Sequence, residues 1–239
     1  MCARYTKKKV KDASALHDLF RIIKEHAELS ASRYNIAPTQ QAPVVRVEGG
    51  DLRADNFRWG LVPAWAKSPK DMRAPLINAR SETVAEKPSF RSAFKKRRCV
   101  VPADGFYEWR QDKKTKQPYY IHLPEHRPFV FAGLWEHWES KSDIDGPSID
   151  SFVIITTDAN KKIAPLHDRM PVILPDDKID MWLDPNVEDA DALHSLLVPL
   201  PENMVDYYPV STRVNSYKFD EPGLIEPVTP LGETASLFS

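Results

Sequence analysis

Residues 98–110, Arg98-Cys99-Val100-Val101-Pro102-Ala103-Asp104-Gly105-Phe106-Tyr107-Glu108-Trp109-Arg110, hold two short runs rich in β-branched and aromatic side chains, with a polar break between them. Such side chains pack well on a pleated surface, so the runs predict strands over 98–102 and 106–110. Three further runs of the same kind follow at 119–123, 129–135 and 151–157, separated by polar loops. Short strands at this spacing predict a meandering antiparallel sheet or a partly closed β-barrel.

On the N-terminal side, the runs 44–48 and 51–57 flank Gly49-Gly50 and read as a β-hairpin, after a turn bracketed by Pro38 and Pro43. Residues 58–65 are apolar but broken by Gly60 and proline, which suits a bent strand entering a loop. Leu16, Leu19, Phe20 and Ile23 recur at helical spacing, predicting an amphipathic helix over 12–26 with Asp12 or Ser14 as N-cap. Short helices are expected at 79–86 and 89–96, with Pro88 suited to a helical first turn, and again at 175–183 and 187–197. Closing strands are expected at 207–210 and 224–228. There is no internal repeat, and the 21 prolines are scattered as loop punctuation. The economical fold class is α+β, a single domain over 1–239 with its sheet or barrel flanked by short helices.

A chain of 239 residues with 42% hydrophobic and 28% charged residues can bury a core without disulfides or metal. Its two cysteines make no disulfide framework; Cys99 reads as a buried strand thiol, and a reducing cytoplasm fits. No stretch approaches 18 apolar residues and the start lacks an apolar signal region, so neither a membrane span nor a signal peptide is expected. The net charge of −1 hides a division: residues 1–120 carry 25 Lys+Arg against 13 Asp+Glu, or +12, leaving 8 against 21, or −13. Basic clusters at Lys7-Lys8-Lys9 with Lys11, Lys95-Lys96-Arg97-Arg98 and Lys113-Lys114 with Lys116 are candidate footprints for a polyanion. Pairing between the two halves explains the same division equally well.

His122 and His126 are four apart, but Pro124 lies between them in a strand-turn segment, which argues against a helical zinc pair. Glycine-rich phosphate loops and the GxSxG turn are also missing. Polar groups stand in otherwise apolar, turn-rich surroundings at Asn35-Ile36-Ala37-Pro38-Thr39, Asn78-Ala79-Arg80, Asp104 to Trp109, and His167-Asp168-Arg169-Met170-Pro171. Taken one at a time these have plain structural explanations. Asn78 can cap a helix, Arg80 can pair with Glu82 or Glu86, Glu108 can be an exposed strand residue, and His167 a satisfied loop histidine. Cys2 adds a distinct possibility. If Met1 is removed, Cys2 carries an α-amine and a thiol on adjacent carbons, with ordinary pKa values of about 8 and about 8.5. Such a 1,2-aminothiol condenses with an aldehyde to an imine and then to a thiazolidine.

Together with Met1-Cys2 and Arg4-Tyr5, these stretches form a pattern joined by Tyr34 to Thr39, Arg58 to Ala66, Asn78 to Thr83, Cys99 to Trp109, Ala132 to Glu136 and His167 to Pro171. The chain resembles the SRAP (SOS-response-associated peptidase) family of abasic-site processing proteins, which crosslink to single-stranded DNA through an N-terminal cysteine. The resemblance is best over 1–175 and weak over 200–239. It implies a DNA-damage protein, acting as a monomer on single-stranded DNA containing abasic sites, without metal or cofactor. The location implied is cytoplasmic and nucleoid-associated in a bacterium, or nuclear in a eukaryote. It also implies that Cys2 is the nucleophile, Glu108 the acid/base for opening the sugar, His167 a proton shuttle and Asn78 an orienting group. Arg4, Arg80 and Arg169 are implied phosphate partners, with Trp109 and Trp65 stacking on bases. Trp59 and Trp135 are better read as core. Ala3 stands where the family commonly has glycine, so the fit beside Cys2 is tighter here. Two other readings use the same residues: an N-terminal-nucleophile peptidase or amidohydrolase, and a noncatalytic single-strand binder.

Overall fold

The computed structural model describes residues 2–9, 17–111, 116–141 and 146–231. In chain order the first half contains β1 (Tyr5–Lys7), α1 (His17–Glu25), α2 (Ala27–Ser30), β2 (Arg33–Ile36), β3 (Gln41–Glu48), β4 (Asp51–Trp59), β5 (Asn78–Arg80) and α3 (Arg91–Lys96). The central strands β6 (Arg98–Ala103), β7 (Gly105–Gln111), β8 (Lys116–His122), β9 (Phe129–Glu139) and β10 (Ser148–Asp158) come next. β11 (Arg169–Pro171), α4 (Ile179–Leu183), α5 (Ala190–His194) and β12 (Asp206–Pro209) complete the elements, so the class is α+β.

Two sheets result. One has five strands in the order β12-β8-β7-β1-β2. In the other, β10, β4, β3, β6 and β9 are neighbours in that order, and β9 pairs back onto β10, closing a five-stranded barrel. β5 and β11 attach to the upper part of β10 outside this ring. Closure removes the exposed edges that an open sheet would leave unpaired. The barrel is not purely antiparallel as expected, because β10 runs parallel to β4 at Ser151–Arg58 and to β5 at Ile154–Asn78. Those partners are distant in sequence, so local spacing carried no sign of their direction.

Period-two alternation sorts the barrel side chains into two cores. Val100, Ala132, Leu134, Val153 and Ile155 join Leu19, Ile23, Phe94, Ile179 and Trp182 of the helices. Cys99, Val101, Phe131, Phe152 and Ile154 join Tyr5, Phe106 and Ile121 of the five-stranded sheet, together with Cys2. Gly133 sits where β9 is paired on both sides, opposite Cys99 and Ile154. A Cβ there would meet Cys99 Sγ at 3.0 Å and the Val153 carbonyl at 3.1 Å, so a side chain would force its neighbours to give way and glycine suits the close approach.

The expected hairpin forms with Glu48 opposite Asp51, and Gly49 and Gly50 supply the positive φ of 62° and 90° that its two-residue turn needs. Pro43 lies inside β3, while the preceding turn is carried by Thr39 with φ of 72°. The helix expected over 79–86 is instead β5 followed by one 3-10 turn, Ser81–Thr83. Pairing with β10 satisfies that backbone better than an isolated turn of helix. Pro88 lies in the turns before α3 rather than in its first turn. Over 224–228 a 3-10 turn, Pro222–Ile225, and a single bridge between Val210 and Pro227 replace the strand. Asp12, Ser14, Leu16, Lys11, Lys113 and Lys114 lie outside the described residues, as does Met1. No helix among the described residues is long and apolar enough to cross a membrane.

Candidate active site and nucleic-acid interface

Cys2 is fully buried, packed in the core that holds Tyr5 and Trp59. Its carbonyl accepts a 2.8 Å hydrogen bond from Asn78 Nδ2, and its thiol faces the Arg4 carbonyl at 3.7 Å. Asn78 opens β5, pairing with Ile154, so the barrel fixes the side chain that holds Cys2. Burial pushes the Cys2 thiol well above its ordinary range, and the negative charge of Glu108 adds to that rise. A thiol so placed stays protonated at neutral pH.

Glu108 lies in β7 opposite Tyr119 and is almost wholly buried. Burial pushes its carboxyl up to about 7, with the neighbouring charge of Asp168 acting in the same direction. A carboxyl near 7 exchanges a proton readily in either direction at neutral pH, the property a general acid/base requires. His167 stands in the connection between β10 and β11. The turn preceding it is braced by Asn160, whose Oδ1 accepts from Ile163 N–H and whose Nδ2 donates to the Leu200 carbonyl. Two groups lie near His167 Nδ1: the Arg169 N–H at 3.0 Å and Asp168 Oδ1 at 2.7 Å. The first needs a lone pair on Nδ1 and the second a proton. Burial lowers the imidazole pKa, which favours the neutral ring; the Arg169 N–H contact suits the tautomer with a lone pair on Nδ1, and the Asp168 contact suits the one with a proton there.

A pocket of about 520 Å³ is lined by Ala3, Arg4, Glu108, Trp109, Lys116, His167 and Asn215. It unites residues from the N-terminus, the five-stranded sheet, the loop after the barrel strand β10 and the C-terminal part of the chain. Arg4 donates to Asn35 Oδ1 at 3.2 Å and to the Asn215 carbonyl at 3.5 Å. The Trp109 indole N–H donates to Asn215 Oδ1 at 2.7 Å. Arg80 is exposed two residues beyond Asn78, on the same face of β5 by strand alternation.

Two expected DNA-contacting residues stand elsewhere. Arg169 is buried, and its guanidinium is taken up by Glu82, by Asp158 at 2.6 Å and by the Thr156 carbonyl at 2.7 Å. It clamps β10, β11 and the turn after β5 together. Trp65, 60% exposed, lies on a second, more apolar pocket of about 620 Å³ with Pro63, Ala66, Met72 and Leu76. Trp59 is core, as expected, and Trp135 packs partly buried against the same cluster. Lys116 and Asn215 are the lining residues that the sequence reading left without a role. Lys116 belonged to a basic cluster already marked for a polyanion, but Asn215 carried no local signal. His122 and His126 stack face to face at 4.0 Å, and no group of three possible metal ligands occurs among the described residues. Of the two charged halves, some residues pair across, as Arg33 with Asp220 and Arg97 with Glu136, while Arg80, Lys95 and Lys96 remain exposed.

The fold and pocket define a barrel-based α+β protein with a buried cysteine near its N-terminus beside a carboxyl that titrates near neutrality. The chain belongs to the SOS response associated peptidase (SRAP) family, whose model matches residues 1–217. That match runs past residue 175 into the part expected to be weakly related. The chain is 45% identical over 194 residues to the abasic site processing protein YoqW of Bacillus subtilis, covering 81% of this chain and 85% of that one. It is 37% identical over 219 residues to the abasic site processing protein HMCES of Xenopus tropicalis, covering 79% and 64%. A crystal structure of a protein from Bacteroides thetaiotaomicron superposes with a TM-score of 0.80 at 28% identity, covering 95% of this chain and all of that one.

Proposed function

We propose that the protein processes abasic sites in single-stranded DNA by trapping them as a thiazolidine on Cys2, in response to DNA damage. The observation that carries this reading is the pairing of the Glu108 carboxyl near 7 with His167 on one polar pocket walled by Ala3, Arg4 and Trp109, with Cys2 buried behind it and within reach of the Glu108 charge. The names of the relatives support the substrate.

After Met1 is removed, by an aminopeptidase or by the protein itself, Cys2 presents its α-amine. Glu108 exchanges the proton needed to open the abasic sugar to its C1′ aldehyde. The amine adds to that carbon to give a carbinolamine, which loses water to leave an imine. The Cys2 sulfur then bonds to the same carbon while its proton passes to the nitrogen, so the ring closes with no oxidant or further reactant. The raised thiol pKa orders these steps, because the amine attacks first and sulfur follows. His167, whose ring burial biases toward the neutral form, serves as the second proton carrier. Asn78 fixes the Cys2 carbonyl and so the direction of the amine. Arg4 and Arg80 meet phosphates and Trp109 meets a base. A duplex would bury the lesion sugar, which is the reason for single-strand preference. The same reading has the protein acting as a monomer, with no metal or cofactor, wherever its host keeps its DNA.

The test is an intact mass of the purified chain alone and after incubation with an abasic oligonucleotide. The expected result is a chain lacking Met1 that gains the oligonucleotide mass less one water, with no gain for Cys2→Ala. An adduct on the Cys2→Ala protein refutes the assignment. Peptide hydrolysis independent of DNA points to the peptidase reading, and tight binding without any adduct points to a passive single-strand binder.

A further inference from the structure

Residues 211–220 run as a strap along β2, and the bonds that pin it lead into the pocket. Asp220 accepts from Arg33 Nε, Tyr34 N–H and Asn35 N–H of that strand. The Nδ2 of Asn35 donates to three strap carbonyls, Val214 at 3.3 Å, Ser216 at 3.0 Å and Phe219 at 2.9 Å. Asn35 is itself buried, and its Oδ1 accepts from Arg4 Nη1. On the strap, Asn215 offers its carbonyl to Arg4 Nη2 and its Oδ1 to the Trp109 indole at 2.7 Å. The strap is anchored separately by Val214, which with Leu224 beyond the strap packs in one cluster with Tyr107 and Tyr120.

We infer that Asn215 is a positioning residue of the DNA site, holding the Trp109 indole while Asn35 ties the same strap to Arg4. A tryptophan side chain in an open pocket samples several rotamers, and a base stacks productively on one orientation. The hydrogen bond to Asn215 selects that orientation before DNA arrives. Its donor is an indole N–H, which has no acceptor capacity, so the asparagine oxygen is the group that matters. The inference rests on the proposed function only in taking single-stranded DNA as the ligand.

The experiment uses the full chain with Asn215→Ala, Trp109→Phe and the double substitution. Three quantities are measured for each: affinity for an unmodified oligodeoxythymidine, adduct rate with an abasic oligonucleotide, and adduct rate with glyceraldehyde. Asn215→Ala is expected to weaken oligonucleotide binding about 3- to 10-fold, the equivalent of one lost neutral hydrogen bond. Its rate with glyceraldehyde, which makes no base contact, is expected to fall by less than its affinity for the oligonucleotide, because Cys2, Glu108 and His167 are untouched. In the Trp109→Phe background, which has no indole N–H, Asn215→Ala is expected to cost nothing more. Wild-type affinity in Asn215→Ala, or full additivity of the two substitutions, overturns the inference. A wild type that binds the oligonucleotide without forming an adduct sinks the proposed chemistry, and the binding cycle alone then decides the role of Asn215.

Discussion

Replacing Glu108 with glutamine tests the environment of the site through stability as well as chemistry. In the unfolded chain a glutamate titrates at its ordinary value of 4.5, and in the fold Glu108 titrates at about 7. Between those values the folded protein binds the extra proton, so stability falls as pH rises through the interval. Its contribution is fully present below 4.5 and gone above about 7. At about 1.4 kcal/mol per pH unit, that interval amounts to about 3 kcal/mol, the cost of ionising a carboxyl that the fold has taken out of water. Glutamine has nearly the same shape and never ionises. Glu108→Gln is therefore expected to match the wild type at pH 4.5 and to be more stable by about 3 kcal/mol at pH 8, while adduct formation falls at least about 100-fold. Urea unfolding of both proteins at several pH values checks this, since groups that do not interact with Glu108 contribute alike to both curves and cancel in their difference. Parallel curves between pH 5 and 7.5, or a constant loss of stability in the variant, would refute the argument that burial sets the Glu108 proton affinity.

The remaining predictions concern the arginines and one glycine. Arg169→Met is expected to lower stability by about 2 kcal/mol, because two carboxylates and a backbone carbonyl lose their partner, with the value kept modest by the exposure of Asp158. Its slope of log affinity for single-stranded DNA against log salt should equal that of the wild type. Arg80→Ala should leave the urea midpoint unchanged and reduce that same slope by about 0.7, the loss of one phosphate contact. Gly105→Ala places a Cβ 2.2 Å from the Tyr120 ring and hydroxyl. It should displace Tyr120 from its bonds to Thr6 and to the Asp104 carbonyl, costing at least about 2 kcal/mol in a thermal melt. A melt within a degree of the wild type would show that the ring moves freely.

Among the expected strands, those from β6 to β10 were legible because alternation and β-branching are local properties, and each stands within a few residues of its expected span. The β3–β4 turn was legible for the same reason, since two consecutive glycines license the backbone angles a tight hairpin demands. Residues 79–86 misled because Asn78 to Arg80 lack strand propensity of their own and extend only by borrowing partners from β10. The surroundings of Arg169 were hidden for a different reason. Its place in a polar motif said that it mattered, but whether a guanidinium meets a phosphate or a carboxylate depends on what the fold sets beside it, here Glu82 from 87 residues away.

From the sequence alone came the fold class, the hairpin, the motif residues and the conditional chemistry of Cys2, all of which rest on side-chain identity and short-range pattern. The tertiary structure decided which of those residues share a pocket, that the barrel closes through β9 and β10, and that Trp65 stands apart from Trp109. It also decided that Glu108 titrates near neutrality and that Asn215, in a part of the chain with no distinctive composition, reaches Trp109. Proton affinity and mutual position depend on desolvation and on contacts between residues far apart in the chain, quantities that exist only once the chain has folded around them.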